Sequence, residues 1–118
     1  MSLLALQNRF GIRTSQAAML RRLIEGDASR EALIEAARYA TKDRYPRAGH
    51  MGGSFKVHIC VLRKAISNVA VLGARCDGAF YGQGNKVPAS KRGQFLYALD
   101  EGGRQALRLF LRAPGFSR

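Results

Sequence analysis

The sequence has few of the residues from which metal sites and acidic catalytic pairs are built. Its two histidines and two cysteines follow the spacing His50-x7-His58-x-Cys60-x15-Cys76, which lacks the C-x2-C or H-x3-H pairs of a structural zinc site. The eight Asp and Glu residues are spread along the chain, and they suggest neither a carboxylate pair nor an acid that would orient a Cys–His pair. We therefore expect no enzyme, no metal and no cofactor.

Long apolar runs are also absent. No stretch reaches the length of about 20 residues that a membrane-spanning helix needs, and Lys and Arg recur throughout. The start of the chain, MSLLALQNRF, has neither the basic region nor the small-residue cleavage site of a secretory signal. We expect a cytoplasmic, nucleoid-associated protein without a membrane partner, in which Cys60 and Cys76 are reduced thiols.

Positive charge is the strongest feature that the sequence does have. Twenty Lys and Arg residues against eight Asp and Glu give a net charge of +12 in 118 residues, the size of one small domain. The excess is larger after residue 50, with eleven basic and three acidic residues against nine and five before it. Such an excess favours a polyanionic partner, most often nucleic acid, although RNA or an acidic membrane surface would satisfy the same charge.

The N-terminal part predicts a short arm followed by two helices. Residues 1–13 form a packing arm, as a short helix or an edge strand. Thr14 is suited to cap the first helix, which ends at Gly26-Asp27, and Ser29 is suited to cap the second. Two helices joined by so short a turn pack at an angle, as in a helix-turn-helix unit. The positions expected to face the core are Ala17, Leu20, Leu23, Ile24, Leu33, Ile34, Ala37 and Ala40.

The stretch from Gly52 to Asn68, GGSFKVHICVLRKAISN, is central to the functional prediction. Its apolar residues recur at helical spacing and predict one buried stripe, formed by Phe55, Ile59, Leu62 and Ile66. The opposite face, small or hydrogen-bonding at its centre and basic at its edges, carries Ser54, Lys56, Val57, His58, Val61, Arg63 and Lys64. Such a face suits a recognition helix over residues 52–66, whose centre reads base edges while its flanks meet phosphates. The alternative is an ordinary core helix that is basic on its outside.

Basic segments flank this helix on both sides. The preceding loop, residues 41–53, contains Lys42, Arg44 and Arg47, which would serve as phosphate contacts or as a solvated connector. The later stretch GAFYGQGNKV predicts a β-hairpin with a Gly-Gln-Gly tip, interpreted as a wing over residues 78–87. The groups of this wing that would face DNA are Gln83, Asn85 and Lys86.

Residues 89–118 predict a C-terminal helical extension. The pattern fits one broken helix or two, and a short strand over residues 94–99 is an open alternative. Gly102-Gly103 is expected to interrupt the helical pattern. The extension would complete the core, or it would form the surface of a homodimer or of a complex with another partner.

Three local sequences together resemble one known family. KVHICVLRKAI is similar to the recognition-helix signature of the response-regulator (OmpR/PhoB) class of DNA-binding domains, in which a VHI..LRK.L core recurs. SREALIEAA resembles the preceding helix of that class, and FYGQGNKV resembles its wing. The resemblance covers roughly residues 11–88. It implies a winged helix-turn-helix, which is a three-helix core with a β-hairpin wing, in a free-standing bacterial or phage regulator.

The resemblance also implies roles for individual residues. It makes Ser54, Val57, His58 and Val61 groove-facing, and it makes Arg63 and Lys64 contacts to the DNA backbone or to base edges. The family usually has a basic or polar residue where Val61 stands and an aromatic residue where Asn85 stands, so base preference and wing should differ here. Because no phospho-acceptor domain is identified, we do not expect control by aspartyl phosphorylation within this chain.

These patterns together predict an α+β, mostly helical fold. It consists of an N-terminal arm (1–13), a winged helix-turn-helix domain (14–88) and a C-terminal helical extension (89–118) that packs on the same core. The expected function is that of a sequence-specific double-stranded DNA-binding transcriptional regulator. The alternative is a protein–protein interaction adaptor that binds RNA polymerase or another regulator, and a third interpretation is an RNA-binding protein.

Overall fold

The computed structural model describes residues 3–41, 51–82, 87 and 95–112, and for residues 41 and 51–54 it describes the backbone only. This part of the chain contains five helices and three strands. The helices are α1 (Leu3–Phe10), α2 (Thr14–Glu25), α3 (Arg30–Thr41), α4 (Met51–Ala65) and α5 (Glu101–Arg112). The strands are β1 (Leu72–Cys76), β2 (Ala79–Tyr81) and β3 (Leu96–Leu99). The fold is therefore α+β, as predicted, with a three-stranded antiparallel sheet. None of the described helices has the length and apolar character needed to cross a bilayer.

The N-terminal arm is a helix and not an edge strand. α1 ends where Gly11 adopts a positive φ of 64°, a conformation that glycine reaches without the steric cost of a Cβ. The Gly11 N–H donates to the carbonyl of Gln7 at 2.8 Å, which closes the last turn. Leu6 is fully buried, so this side chain anchors α1 to the main core.

The starts of α2 and α3 are capped by different devices. The expectation that Thr14 caps α2 is wrong, because Thr14 is already the first helical residue and Gln16 supplies the capping oxygen. Gln16 is long enough to reach back, and its Oε1 accepts the backbone N–H of Arg13 at 2.9 Å. The cap predicted at Ser29 is confirmed, because Ser29 Oγ accepts the N–H of Ala32 at 3.0 Å.

One hydrophobic core joins the helices to the sheet. The stripe predicted on α4 is confirmed, because Phe55, Ile59, Leu62 and Ile66 are all buried. The predicted positions of α2 and α3 that are buried are Ala17, Leu20, Leu23, Ile24, Leu33 and Ala37, whereas Ile34 and Ala40 are half-buried. Leu107 of α5 belongs to the same core. Each fully buried leucine of this kind stabilises the fold by about 1.5–3 kcal/mol through removal of apolar surface from water.

A β-hairpin that was not predicted from the sequence lies just before the Gly-Gln-Gly segment. β1 and β2 pair antiparallel, and the turn between them is Asp77-Gly78 and not the Gly-Gln-Gly tip. Both turn residues have positive φ, 51° at Asp77 and 80° at Gly78, which gives the turn the twist that flanking strands need. Residues 79–81 are therefore the second strand of the hairpin. Asp-Gly is a pair that this turn geometry favours, and the predicted Gly-Gln-Gly tip extends into residues 83 and 84, which lie outside the described residues.

Residues 94–99, left open between helix and strand, contain strand β3. β3 pairs antiparallel with β1, so β1 is the central strand in the order β2-β1-β3. Tyr97 of β3 also exchanges two backbone hydrogen bonds, at 2.8 and 3.0 Å, with Ala28 in the connection between α2 and α3. The Tyr97 ring packs edge-on against Phe55 of α4, with the ring centroids 5.4 Å apart. Tyr97 of β3 therefore joins the sheet to the α2–α3 connection and to α4.

In the described residues after the sheet there is one helix, α5. Asp100 caps it by accepting the N–H of Gly103 at 3.1 Å, and the other carboxylate oxygen accepts the N–H of Val71 at 2.7 Å. The expectation that Gly102-Gly103 interrupts the helix is wrong, because both residues lie in its first turn. Glycine is needed at 103 for space, since a Cβ there would collide with Ala70.

Candidate nucleic-acid interface

The outer face of α4 carries a strip of exposed side chains, here called the outer strip, formed by Lys56, Val57, Cys60, Val61 and Lys64. These positions recur at helical spacing and lie opposite the buried stripe. Val57 is 62% exposed and Val61 39%, although valine is among the residue types most often buried. Four of the residues predicted to contact DNA therefore point away from the core, and Cys60, which was not among the predicted contacts, lies between them.

The two lysines lie at opposite ends of the outer strip. Lys56 and Lys64 are eight residues apart, which corresponds to about 12 Å along a helix axis. The outer strip therefore places one cation at each end of an apolar centre.

Arg63, predicted as a contact to DNA, is half-buried and is bound within the fold through its Nε atom. Its Nε atom donates to the carbonyl oxygen of Leu72 at 2.9 Å, which joins the end of α4 to the start of β1. Burial raises the pKa of the nearby Tyr97 phenol, and the positive charge of Arg63 partly opposes that rise. The spacing within α4 could not predict this contact, because it depends on the position of a strand carbonyl outside the helix.

His58 lies at the edge of the outer strip and is half-buried. Its Nδ1 atom is 3.0 Å from Nε2 of Gln16, a residue of α2 that is 4% exposed. Burial lowers the pKa of the His58 imidazole, and the positive charge of Arg13 lowers it further. His58 is therefore held against α2 through Nδ1 and is half-buried at the edge of the outer strip, and its groove-facing role stays a prediction. Gln16 and Arg13 lie outside the predicted site, and no local sequence signal connects them to α4.

Several other arginines are used to hold the elements together. The Asp27 carboxylate pairs with Arg75 of β1 at 2.9 Å and also with Arg104 of α5. Arg108 donates to the carbonyl of Ile24 at 3.2 Å, near the C-terminus of α2, where a cation also meets the negative end of the helix dipole. The net charge of +12 therefore overstates the positive charge that is available to a partner.

A shallow groove of about 410 Å³ lies between α2 and α3. It is lined by apolar side chains and by charges of both signs, namely Ala18, Arg21, Arg22, Glu25, Ala32, Glu35, Ala36 and Tyr39. Within the described ranges, no group of three or more His, Cys, Asp or Glu side chains could hold a metal ion. The groove offers no nucleophile paired with a base, and it lies on helices other than α4.

Several predicted site residues are not placed by the structure. The loop residues Lys42, Arg44 and Arg47 and the wing residues Gln83, Asn85 and Lys86 lie outside the described residues, and so does the side chain of Ser54. Their roles stay predictions. The described part of the candidate site consists of α4 and the residues that contact it.

No protein-family model, curated protein or solved structure matches this chain.

Proposed function

We propose that this protein is a sequence-specific double-stranded DNA-binding transcriptional regulator whose helix α4 enters the major groove. The observation that carries the proposal is the outer strip, in which two lysines flank exposed valines and a cysteine on one helix face. The centre of such a strip is suited to base edges, and the lysines at its ends are suited to phosphates on the two sides of the groove. The net charge of +12 favours the same class of partner.

The order of the elements supports a winged helix-turn-helix. α2, α3 and α4 precede a small antiparallel sheet, and the Ala28–Tyr97 bridge joins the α2–α3 connection to that sheet. The wing would comprise residues 78–87, which begin in the hairpin turn and continue through β2. It would contact the DNA backbone or the minor groove through the predicted residues Gln83, Asn85 and Lys86.

Affinity and specificity would come from different groups. Lys56 and Lys64 would neutralise phosphates and release the counterions bound to them, which supplies affinity for any sequence. The loop cations predicted to add to this effect are Lys42, Arg44 and Arg47. Arg63 would add to this effect only through its terminal N–H groups, because its Nε already donates to the Leu72 carbonyl. Sequence preference would come from the centre of the outer strip.

The exposed valines favour a second candidate, a protein–protein interaction adaptor. Val57 and Val61 present apolar surface at the centre of the outer strip, and neither side chain can form a hydrogen bond with a base. An amphipathic helix with such a face also suits an apolar groove on a protein such as RNA polymerase or another regulator. Binding of the adaptor to duplex DNA would be weak and would show no sequence preference.

Selection of bound sequences from random duplex DNA at near-physiological salt tests the proposal. Enrichment of a defined motif is the expected result, and a palindromic or tandem motif would indicate that a homodimer binds. A pool that remains random after repeated rounds would contradict sequence-specific binding and favour the adaptor.

Lys64→Glu and Arg112→Glu form a matched pair for the same assay. Both make the same change of charge at an exposed side chain, one on the outer strip and the other at the end of α5. We expect Lys64→Glu to reduce affinity for the selected duplex far more, because it places a carboxylate against phosphates. Equal losses would show that only net charge matters, and they would contradict the placement of α4 in the groove.

A further inference from the structure

Gln16 forms hydrogen bonds through both ends of its side-chain amide. It lies in the first turn of α2 and is 4% exposed. Its Oε1 accepts the backbone N–H of Arg13 at 2.9 Å, and its Nε2 is 3.0 Å from Nδ1 of His58 on α4. The side chain therefore connects the start of α2 to the residue that borders the outer strip.

The direction of these hydrogen bonds follows from the backbone group at one end. A backbone N–H can only donate, so the Gln16 atom that faces Arg13 is the carbonyl oxygen, and the NH₂ group faces His58. The NH₂ group can also only donate, so Nδ1 of His58 must accept and carries no proton. The proton of the neutral imidazole is then on Nε2.

We infer that Gln16 is a positioning residue that fixes His58 as the neutral tautomer with its proton on Nε2, which makes His58 a hydrogen-bond donor to DNA. The inference rests on the proposed function of α4. In the described part of the chain no acceptor bonds to Nε2, and His58 adjoins Val57 of the outer strip. The group that this donor fits is a lone pair on the nucleic acid, on the acceptor edge of a base or on a phosphate oxygen.

The surroundings of the ring support the neutral form. Burial lowers the pKa of His58, and so does the positive charge of Arg13, the charged group that acts on the ring from the α2 side. Protonation of Nδ1 would place two N–H groups against each other across the 3.0 Å contact with Gln16. His58 would therefore add one directional donor to α4, and the positive charge of the outer strip would remain with its lysines.

Nitrogen-15 NMR of the imidazole ring tests the tautomer without DNA. At neutral pH we expect an unprotonated Nδ1 and a protonated Nε2, with the signals assigned by their loss in His58→Gln. Gln16→Glu keeps an oxygen for the Arg13 N–H but places an acceptor opposite Nδ1, so the proton should move to Nδ1 and the pKa of His58 should rise. A wild-type ring protonated on Nδ1, or a ring unaffected by Gln16→Glu, would overturn the inference. The wild-type spectrum alone decides if the variant does not fold.

Binding to the selected duplex then identifies the acceptor. His58→Ala removes the donor and should weaken binding by about 2- to 10-fold, the range expected for one hydrogen bond. His58→Gln places an amide N–H near the position of Nε2 and should retain most of the affinity. A loss confined to one base position identifies a base acceptor, and an equal loss for every sequence identifies a phosphate.

Failure of the inference differs from failure of the proposed function. Unchanged binding by His58→Ala to a duplex that the wild type recognises would overturn the donor role of His58. Absence of duplex binding by the wild type, with the Nε2–H tautomer present in its spectrum, would refute DNA binding and leave the role of Gln16 in place.

Discussion

Among single residues, Val57 and Val61 would decide what the centre of α4 recognises under the proposed function. Neither side chain can hydrogen-bond a base edge, and the apolar group that the major groove offers is the C5-methyl of thymine. Val57 is more exposed than Val61, so it has more surface to lose to a partner. If α4 reads DNA, we expect the preferred site to contain thymines beneath the centre of the outer strip.

Replacing those thymines by uracil removes the methyl groups and leaves base pairing intact. Affinity should fall by about 1 kcal/mol for each methyl group that becomes buried, because that is the scale of one apolar group removed from water. Val61→Ala should weaken binding to the thymine duplex and reduce the difference between the two duplexes in titrations. Equal wild-type affinity for both duplexes would mean that the valines face something other than thymine.

His58 makes the stability of the fold depend on pH. Its pKa in the folded protein is lowered from the ordinary value of 6.5, so the unfolded chain takes up a proton more readily. The stability contributed by His58 is therefore complete above pH 6.5, and it is lost as the pH falls through the folded pKa. Denaturant unfolding should show that wild type loses more stability on acidification than His58→Ala does.

The same variant should be less stable than wild type near neutral pH. His58→Ala leaves the buried NH₂ group of Gln16 without its partner, at a cost of about 1–3 kcal/mol. The difference in free energy of unfolding between the two proteins should shrink below pH 6.5. A difference that does not change with pH would mean that the pKa of His58 is the same in both states.

Among the elements, α4 has a buried face that stabilises the fold and an outer face to which we assign the proposed recognition. Phe55→Ala or Leu62→Ala opens a cavity in the core and should lower the free energy of unfolding by about 2–5 kcal/mol. Lys64→Glu changes an exposed side chain, so stability should change little while duplex binding is lost. Denaturant unfolding and duplex titration of the same variants check both effects. Unfolding of the domain by Lys64→Glu would show that this face is packed and not free.

The hairpin turn gives a second test at this scale. Gly78→Ala should destabilise the fold by about 1–2 kcal/mol, because φ is 80° there and a Cβ crowds the backbone in that region. Gly26→Ala is the matched control, since Gly26 has an extended φ of 170° and its added Cβ would meet only an Arg22 atom at 4.0 Å. Thermal unfolding should separate the two variants. Equal effects would contradict the turn at Asp77-Gly78.

The sequence predicted those features that depend on neighbouring residues. The buried stripe of α4 and the cap at Ser29 follow from side chains a few positions apart, and the structure confirms both. The hairpin turn at Asp77-Gly78 was not predicted, although the Asp-Gly pair is a local signal for it. The contacts of His58 with Gln16 and of Arg63 with Leu72 join different elements. Periodicity gives the side of a helix on which a residue lies, but it does not give the partner that another element brings there.

Across the whole molecule, some of the described basic side chains are paired within the fold and others are not. Arg75 and Arg104 converge on Asp27, where they join the α2–α3 connection to the sheet and to α5. Lys56 and Lys64, in contrast, form no ion pair with any residue that the structure describes. The charge available to a polyanion therefore includes the two ends of the outer strip.

The salt dependence of duplex binding tests this central claim most directly. If α4 neutralises phosphates, the logarithm of the affinity should fall linearly with the logarithm of salt concentration, with a slope of about −0.9 for each phosphate. Lys64→Ala should make that slope shallower by about one unit, whereas Arg112→Ala should leave it unchanged. A wild-type slope near zero, or the same change of slope in both variants, would contradict DNA binding through α4.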